Sequence, residues 1–443
     1  MILLEGAIIV TSEKEAEGSI LIEGGKIADV LYSEAEDYGF RVFKAKNAGA
    51  EVVDCAGLHV MAGGIDAHVH FREPGLTHKA DMATESLAAI HGGVTSVMDM
   101  PNTNPATVTA EALKGKLALA KEKAHTKTAF HIGATNENAE AICRMVQEGD
   151  AEAGITPEDI AGVKVFMGSS TGNMLVDSSD TLGKLFAIKE KPVLVHCEDE
   201  ATIKANLEKA VEKYGEEIPF TEHENIRSRM ACIKSSIKAL ELAMKYGTKL
   251  VLCHISTREE AEMLRAAKLN NPEIIAETSC NYLWFSNEDY SRLGSRVKCN
   301  PSVKTPADRE ALINALAEGV IDTIGSDHAP HLLSEKEGTY TKAPSGLPSI
   351  QQSLPVLLTI AHDNEIPLTR IASVFSEKAA ELYGLNRGKI AKGYEADLVI
   401  FDKEATFVVK NEDQKSKCGW TPYEGETLRG EIKAVYIDGN KII

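Results

Sequence analysis

The sequence predicts an α/β protein: a (β/α)8 TIM-type barrel carrying a small β-sandwich domain built from both chain termini. Two observations carry this. Between residues 58 and 328, short apolar runs alternate with amphipathic segments eight times. A strand–helix unit repeated over roughly 250–300 residues fits such a barrel. The two ends differ in texture, reading as short strands joined by Gly-Gly or Asp-Gly turns. Chain termini often lie close together, so one domain assembled from both is the economical reading.

The boundaries expected are 1–56 and 385–443 for the two parts of the sandwich and 57–384 for the barrel. ILLEGAIIV, SILIEGGKIADVLY and EVVDCAG supply the first 55 residues with strands; GKIAKGYEADLVIFDKEATFVV and EIKAVYIDGNKII supply the end. The barrel runs are HVMAGGIDAHVHF, VTSVMDM, TAFHIG, GVKVFM, PVLVHC, KLVLCHI, EIIAET and VIDTIGSDH. Helical patterns such as HKADMATESLAAIHGG and NIRSRMACIKSSIKALELAMKYG separate them. An open doubly wound sheet would alternate in the same way. No Gly-rich phosphate loop follows the first run, which weakens a nucleotide-binding alternative.

The 443 residues are 43% hydrophobic and 26% charged, enough to bury a large core. A net charge of −18 argues against nucleic acid or an anionic membrane surface as a partner. The first residues lack a basic signal-peptide region, and no run of about 18 apolar residues occurs. Eight cysteines without a CxxC pair read as reduced thiols. A cytoplasmic enzyme is expected.

Functional groups of a barrel lie at the C-terminal ends of its strands. Here His68 and His70 end run one, Lys164 interrupts run four, His196 ends run five, His254 run six and Asp327 run eight. Two residues apart on a strand, His68 and His70 project to one face about 7 Å apart, so both can reach one metal ion. Imidazoles with a carboxylate suit zinc. Lys164 is flanked by apolar residues, where an ammonium is costly. A buried amine held neutral can add carbon dioxide, and the resulting carbamate has two oxygens able to bridge two metal ions. Arg72 offers a planar fork suited to a carboxylate. Cys197 and Cys253, each next to a ligand histidine, are expected on the opposite strand face as packing residues.

GGIDAHVHFREPG, MDMPNTNP, AGVKVFMG, VLVHCED, LCHIST and GSDHAPH together resemble the cyclic amidohydrolases of the amidohydrolase superfamily, most closely the dihydroorotases. The likeness runs from about residue 57 to 350 and returns in GWTPYEG near residues 419–425. It implies the same barrel and sandwich. It also implies two Zn²⁺ ions, one held by His68, His70 and Asp327 and the other by His196 and His254, with Lys164 bridging as a carbamate made from carbon dioxide. Asp327 becomes the catalytic proton carrier. Arg72, Asn102 and His331 become contacts to a substrate carboxylate, and Asn300 in KCNPSVK a contact to the substrate ring.

The activity implied is reversible closure of N-carbamoyl-L-aspartate to L-dihydroorotate in pyrimidine biosynthesis. Hydantoinases and dihydropyrimidinases share the HxH and the lysine but act on rings without that carboxylate, and Arg72 with Asn102 favours the dihydroorotases. A non-catalytic subunit that only scaffolds aspartate transcarbamoylase is the alternative of another class; dead relatives lose ligands that are all present here. Where many relatives have Pro-His-His after strand seven, this chain has Cys280-Asn281-Tyr282. Residues 168–177 are small and polar enough for a lid, with Ser170 and Thr171 as its contacts. A homo-oligomer is expected, with aspartate transcarbamoylase as a candidate partner.

Overall fold

The computed structural model describes residues 1–168 and 174–443; Ser170 and Thr171, expected from the sequence as lid contacts, lie outside the described residues. Eight parallel strands form the barrel: Gly64–Val69, Val94–Asp99, Lys127–Gly133, Gly162–Phe166, Val193–His196, Leu250–Leu252, Ile274–Thr278 and Thr323–Ile324. We number them one to eight. Each pairs with the next in chain order. The bridge between Val69 and His328, with His70 N–H donating to the His328 carbonyl at 2.8 Å, brings the eighth back to the first.

Side chains on these strands are buried on both faces, which is why the runs read as continuous rather than alternating. In strands four and five, Val163, Val165, Val193 and Val195 pack into the large core shared with the outer helices. Leu194 instead joins Met100, Val251 and Cys253 in a separate cluster. The helices begin where the sequence caps them. Asp81 accepts from Thr84 N ahead of Met82–His91, and Thr257 with Glu260 forms a capping box ahead of Arg258–Lys268.

The termini build one further sheet. Its path runs Asn440–Lys441, Thr427–Ile437, Leu398–Val408, His59–Ala62, Ile2–Val10, Glu15–Glu23 and Lys26–Tyr32, with Glu51–Asp54 also on Ile2–Val10. Residues from both ends share a core that includes Leu4, Ile20, Leu398 and Tyr436. The apolar run that starts at His59 is therefore divided. Its first four residues pair with Ile8–Val10 and Leu398–Phe401, and only the part after Gly63 enters the barrel. A Cβ on Gly63 would meet the Thr95 side chain at 2.3 Å, so the chain passes there only as glycine.

A helix at Tyr38–Asn47 interrupts the stretch that reads as strands, burying Val42 and Ala45 against Leu3 and Leu31. Lys127, at the start of strand three, ties the sheet to the barrel through Glu395, Asp397 and Asp438. Among the described residues, no helix is long and apolar enough to cross a membrane.

Candidate active site

Strand ends one, four, five, six and eight converge on a cleft whose wall includes His68, His70, Lys164, His196, His254 and Asp327. Asp327 Oδ1 lies 3.1 Å from His70 Nε2 and 3.6 Å from His68 Nε2. His196 Nδ1 faces His254 Nε2 at 3.0 Å, and the His68 and His254 rings are 5.1 Å apart. Lys164 is almost wholly buried between these two groups and has no carboxylate ion-pair partner among the described residues.

The far nitrogens of three rings are already committed. His68 Nδ1 bonds Glu277 at 2.7 Å, His70 Nδ1 bonds Asn102 Oδ1 at 2.7 Å, and His196 Nε2 bonds Glu198 at 2.9 Å. Glu198 is held in turn by Arg227. Such partners place the ring proton on the far nitrogen and leave the near one as a lone pair. Burial drives the pKa of His68, His196 and His254 below the ordinary value, with Lys164, Arg227 and the neighbouring rings adding to it. The near nitrogens of His68 and His70 then face a carboxylate oxygen, and that of His196 faces another imidazole. Acceptors set against acceptors in this way are stable with a cation between them. His68, His70 and Asp327 lie close enough to share one ion. The donor set fits divalent metal.

Three residues here hold left-handed backbone: Arg72 at φ 65°, His254 at φ 38° and Asp327 at φ 49°. Such conformations are costly for side chains with a Cβ and collect where geometry serves chemistry. The turn at His254 corrects the expectation for Cys253. Strand six ends at Leu252, alternation breaks at the left-handed residue, and both Cys253 and His254 face inward. Cys253 Sγ accepts from Lys164 Nζ at 3.3 Å and stands beside His68 and Glu277. Cys197 does pack in the outer core.

The opposite wall is cationic. Arg72 is buried, donating through Nε to the Pro330 carbonyl at 3.1 Å and through Nη2 to His331 Nε2 at 3.0 Å. Burial pulls it down to about 10 despite the carboxylates around it. Lys79 Nζ lies 3.0 Å from the other nitrogen of His331, and Trp420 of the C-terminal segment donates to the His331 carbonyl at 2.8 Å. Asn300 presents to the same cleft a buried Oδ1 with no hydrogen-bond partner among the described residues. Asn102 lies between the walls, its oxygen spent on His70.

Cys280, Asn281 and Tyr282 pack behind this wall: Tyr282 donates to the Pro301 carbonyl and Asn281 accepts from Tyr423. Glu277 and Glu198 escaped the sequence reading. Both are charged residues at the ends of apolar runs, the same signal that picked out Lys164.

The profile of the Amidohydrolase family matches residues 59–442. The chain belongs to that family and is an enzyme of the hydrolase class. It is 34% identical over 418 residues to the dihydroorotase of Methanosarcina mazei, covering 92% of this chain and 86% of that protein. An allantoinase of Bacillus velezensis is 33% identical over 446 residues, with coverage of 99% and 93%. Among solved structures, the L-hydantoinase (dihydropyrimidinase) of Arthrobacter aurescens superposes with a TM-score of 0.89 at 26% identity, covering 100% of this chain and 95% of that one.

Proposed function

We propose that this enzyme is a dihydroorotase, interconverting N-carbamoyl-L-aspartate and L-dihydroorotate. The observation that carries the reading is Arg72: a buried guanidinium at the cleft, hydrogen-bonded to His331 and a carbonyl, with no carboxylate ion-pair partner among the described residues. A buried cation with no direct ion-pair partner calls for an anionic ligand. Hydantoin, dihydrouracil and allantoin are neutral rings and would leave it unpaired. Dihydroorotate brings a carboxylate.

His68, His70 and Asp327 would hold one zinc ion and His196 and His254 the other, with Lys164 joining them as a carbamate. Bound there, such a pair supplies hydroxide near neutral pH and polarises a ring carbonyl. Arg72, His331 and the Asn102 amide hold the substrate carboxylate, turning encounter into near-attack geometry. Asn300 Oδ1 accepts from a ring N–H. Asp327 takes the proton of the attacking water and delivers it to the departing ring nitrogen. Its carboxyl is suited to accepting that proton while ionised. Burial alone would raise its pKa, but the neighbouring His70, His68 and His254 hold it well below the usual carboxylate range.

In the direction of synthesis the same groups close the ring, converting a dianion and one proton into a monoanion and water. The reading carries with it a cytoplasmic setting, a homo-oligomer and aspartate transcarbamoylase as a candidate partner. Turnover of dihydroorotate, hydantoin, dihydrouracil and allantoin on one metal-loaded sample tests it. Dihydroorotate is expected to be the preferred substrate; a chain that opens a neutral ring and leaves dihydroorotate untouched would be a hydantoinase-type or allantoinase-type enzyme instead.

A further inference from the structure

Two lysines behind the cationic wall play no part in that chemistry. Lys336 is 1% exposed and Lys298 7%. Lys336 Nζ donates to three carbonyls, those of Lys298 at 3.2 Å, Pro344 at 2.8 Å and Gly346 at 3.0 Å. Lys298 Nζ donates to the carbonyls of Tyr340 at 2.6 Å and Ala343 at 2.7 Å, and lies 4.3 Å over the Tyr340 ring. Burial and Lys298 push Lys336 down to about 7. Three acceptors nonetheless match the three N–H donors of an ammonium, where a neutral amine has two.

Fully buried Lys116 is neutralised by Asp99, and half-buried Lys127 by Glu395, Asp397 and Asp438, whereas buried Lys164 and Lys304 have no carboxylate ion-pair partner among the described residues. Lys298 and Lys336 likewise have no carboxylate ion-pair partner among the described residues. Four of the five carbonyls they hold belong to residues 340–346, whose Ser345 and Gly346 line the cleft. That segment presses on the loop bearing His331. Ser345 O is 3.1 Å from His331 Nε2, and a Cβ on Gly346, at φ 136°, would meet the Ala329 carbonyl at 2.5 Å. With Arg72, three buried cations without carboxylate partners gather on one side of a cleft in a chain of net charge −18.

We propose that Lys298 and Lys336 are positioning and specificity residues: they strap residues 340–346 against the His331 loop and place uncompensated positive charge behind it, so that the cleft selects carboxylate-bearing rings and ureido acids over neutral ones. Charge that is held by carbonyls and not neutralised acts on a ligand without touching it. The inference rests on the dihydroorotase reading and sharpens which feature of that substrate is selected.

Steady-state kinetics on dihydroorotate, with metal content measured for each protein, test it. Lys336→Met should raise KM about tenfold or more with kcat within about threefold, metal content unchanged and a shallower dependence of KM on salt. Lys298→Met should do the same, and Lys336→Arg, which keeps the charge, should restore most of the loss. Unchanged KM in both Met variants overturns the proposal. So does an Arg variant as impaired as Met, or failure of both Met variants to fold, since either makes the lysines purely structural. If the unmodified chain does not open dihydroorotate, the functional reading fails on its own. The lysines are then judged by the relative affinity for orotate and uracil, a carboxylated and a neutral ring, which should narrow in Lys336→Met; an unaltered ratio sinks the inference.

Discussion

On one wall of the cleft, imidazoles are backed by carboxylates: Glu277 stands behind His68 and Glu198 behind His196. On the other, cations are backed by main-chain carbonyls: Pro330 behind Arg72, and the carbonyls of residues 340–346 behind Lys298 and Lys336. A carboxylate behind an imidazole holds the ring proton at the back and leaves electron density in front for a metal ion. A carbonyl holds an ammonium or guanidinium in place and leaves its charge intact. The two walls thus ask for opposite ligands, cations on one side and an anion on the other. Divalent metal would meet the first request, and the pendant carboxylate of a cyclic amide the second.

The most severe way to break this arrangement is at Asp327, proposed above both as a metal ligand and as the proton carrier. Asp327→Asn should cost on the order of 10²–10⁴ in rate or more; near-parental turnover would remove it from the chemistry. Lys164→Ala should lose metal and activity together, with partial rescue by small carboxylic acids that stand in for the carbamate. Native mass measurement of the parent should show the added mass of one carbon dioxide, and its absence would leave Lys164 an ordinary lysine. Glu277→Gln probes the backing alone. It should weaken metal retention about 10–100-fold with the front ligands untouched, read as loss of metal on dialysis against a chelator; full retention would show that His68 needs no carboxylate behind it.

Smaller effects sharpen the comparison through pH. Ring closure takes up one proton, so the equilibrium ratio of ring to open form should rise about tenfold for each unit of acidification. A ratio indifferent to pH would contradict the proton balance. Glu198 concerns stability. Burial alone would raise its pKa, but Arg227 and His196 override this and hold it below the ordinary value. Its contribution is therefore full above the unfolded carboxylate pKa and lost as pH falls through the folded one. Acid unfolding followed by circular dichroism should be less steep in Glu198→Gln; identical profiles would mean that other carboxylates dominate.

Local spacing made much of the metal-holding wall legible. The pair His68 and His70, two residues apart at the end of an apolar run, needs no tertiary information to share a face. Lys164, His196 and Asp327 announced themselves as polar residues breaking or closing apolar runs. Glu277 and Glu198 carried the same mark, but the partners that give them meaning did not: His68 and Glu277 are 209 positions apart. Cys253 shows the limit from the other side, since alternation predicts its face only while the strand continues, and His254 leaves it at φ 38°.

Periodicity and composition, which are properties of neighbouring residues, were enough to predict an alternating strand–helix fold, a domain shared by both termini and a set of polar residues at strand ends in this chain. Only the folded molecule decided which carboxylate stands behind which imidazole, and that Lys298 and Lys336 clasp a loop by its carbonyls. Those choices depend on contacts between segments far apart in the chain, and main-chain carbonyls, present at every residue, leave no trace in the sequence.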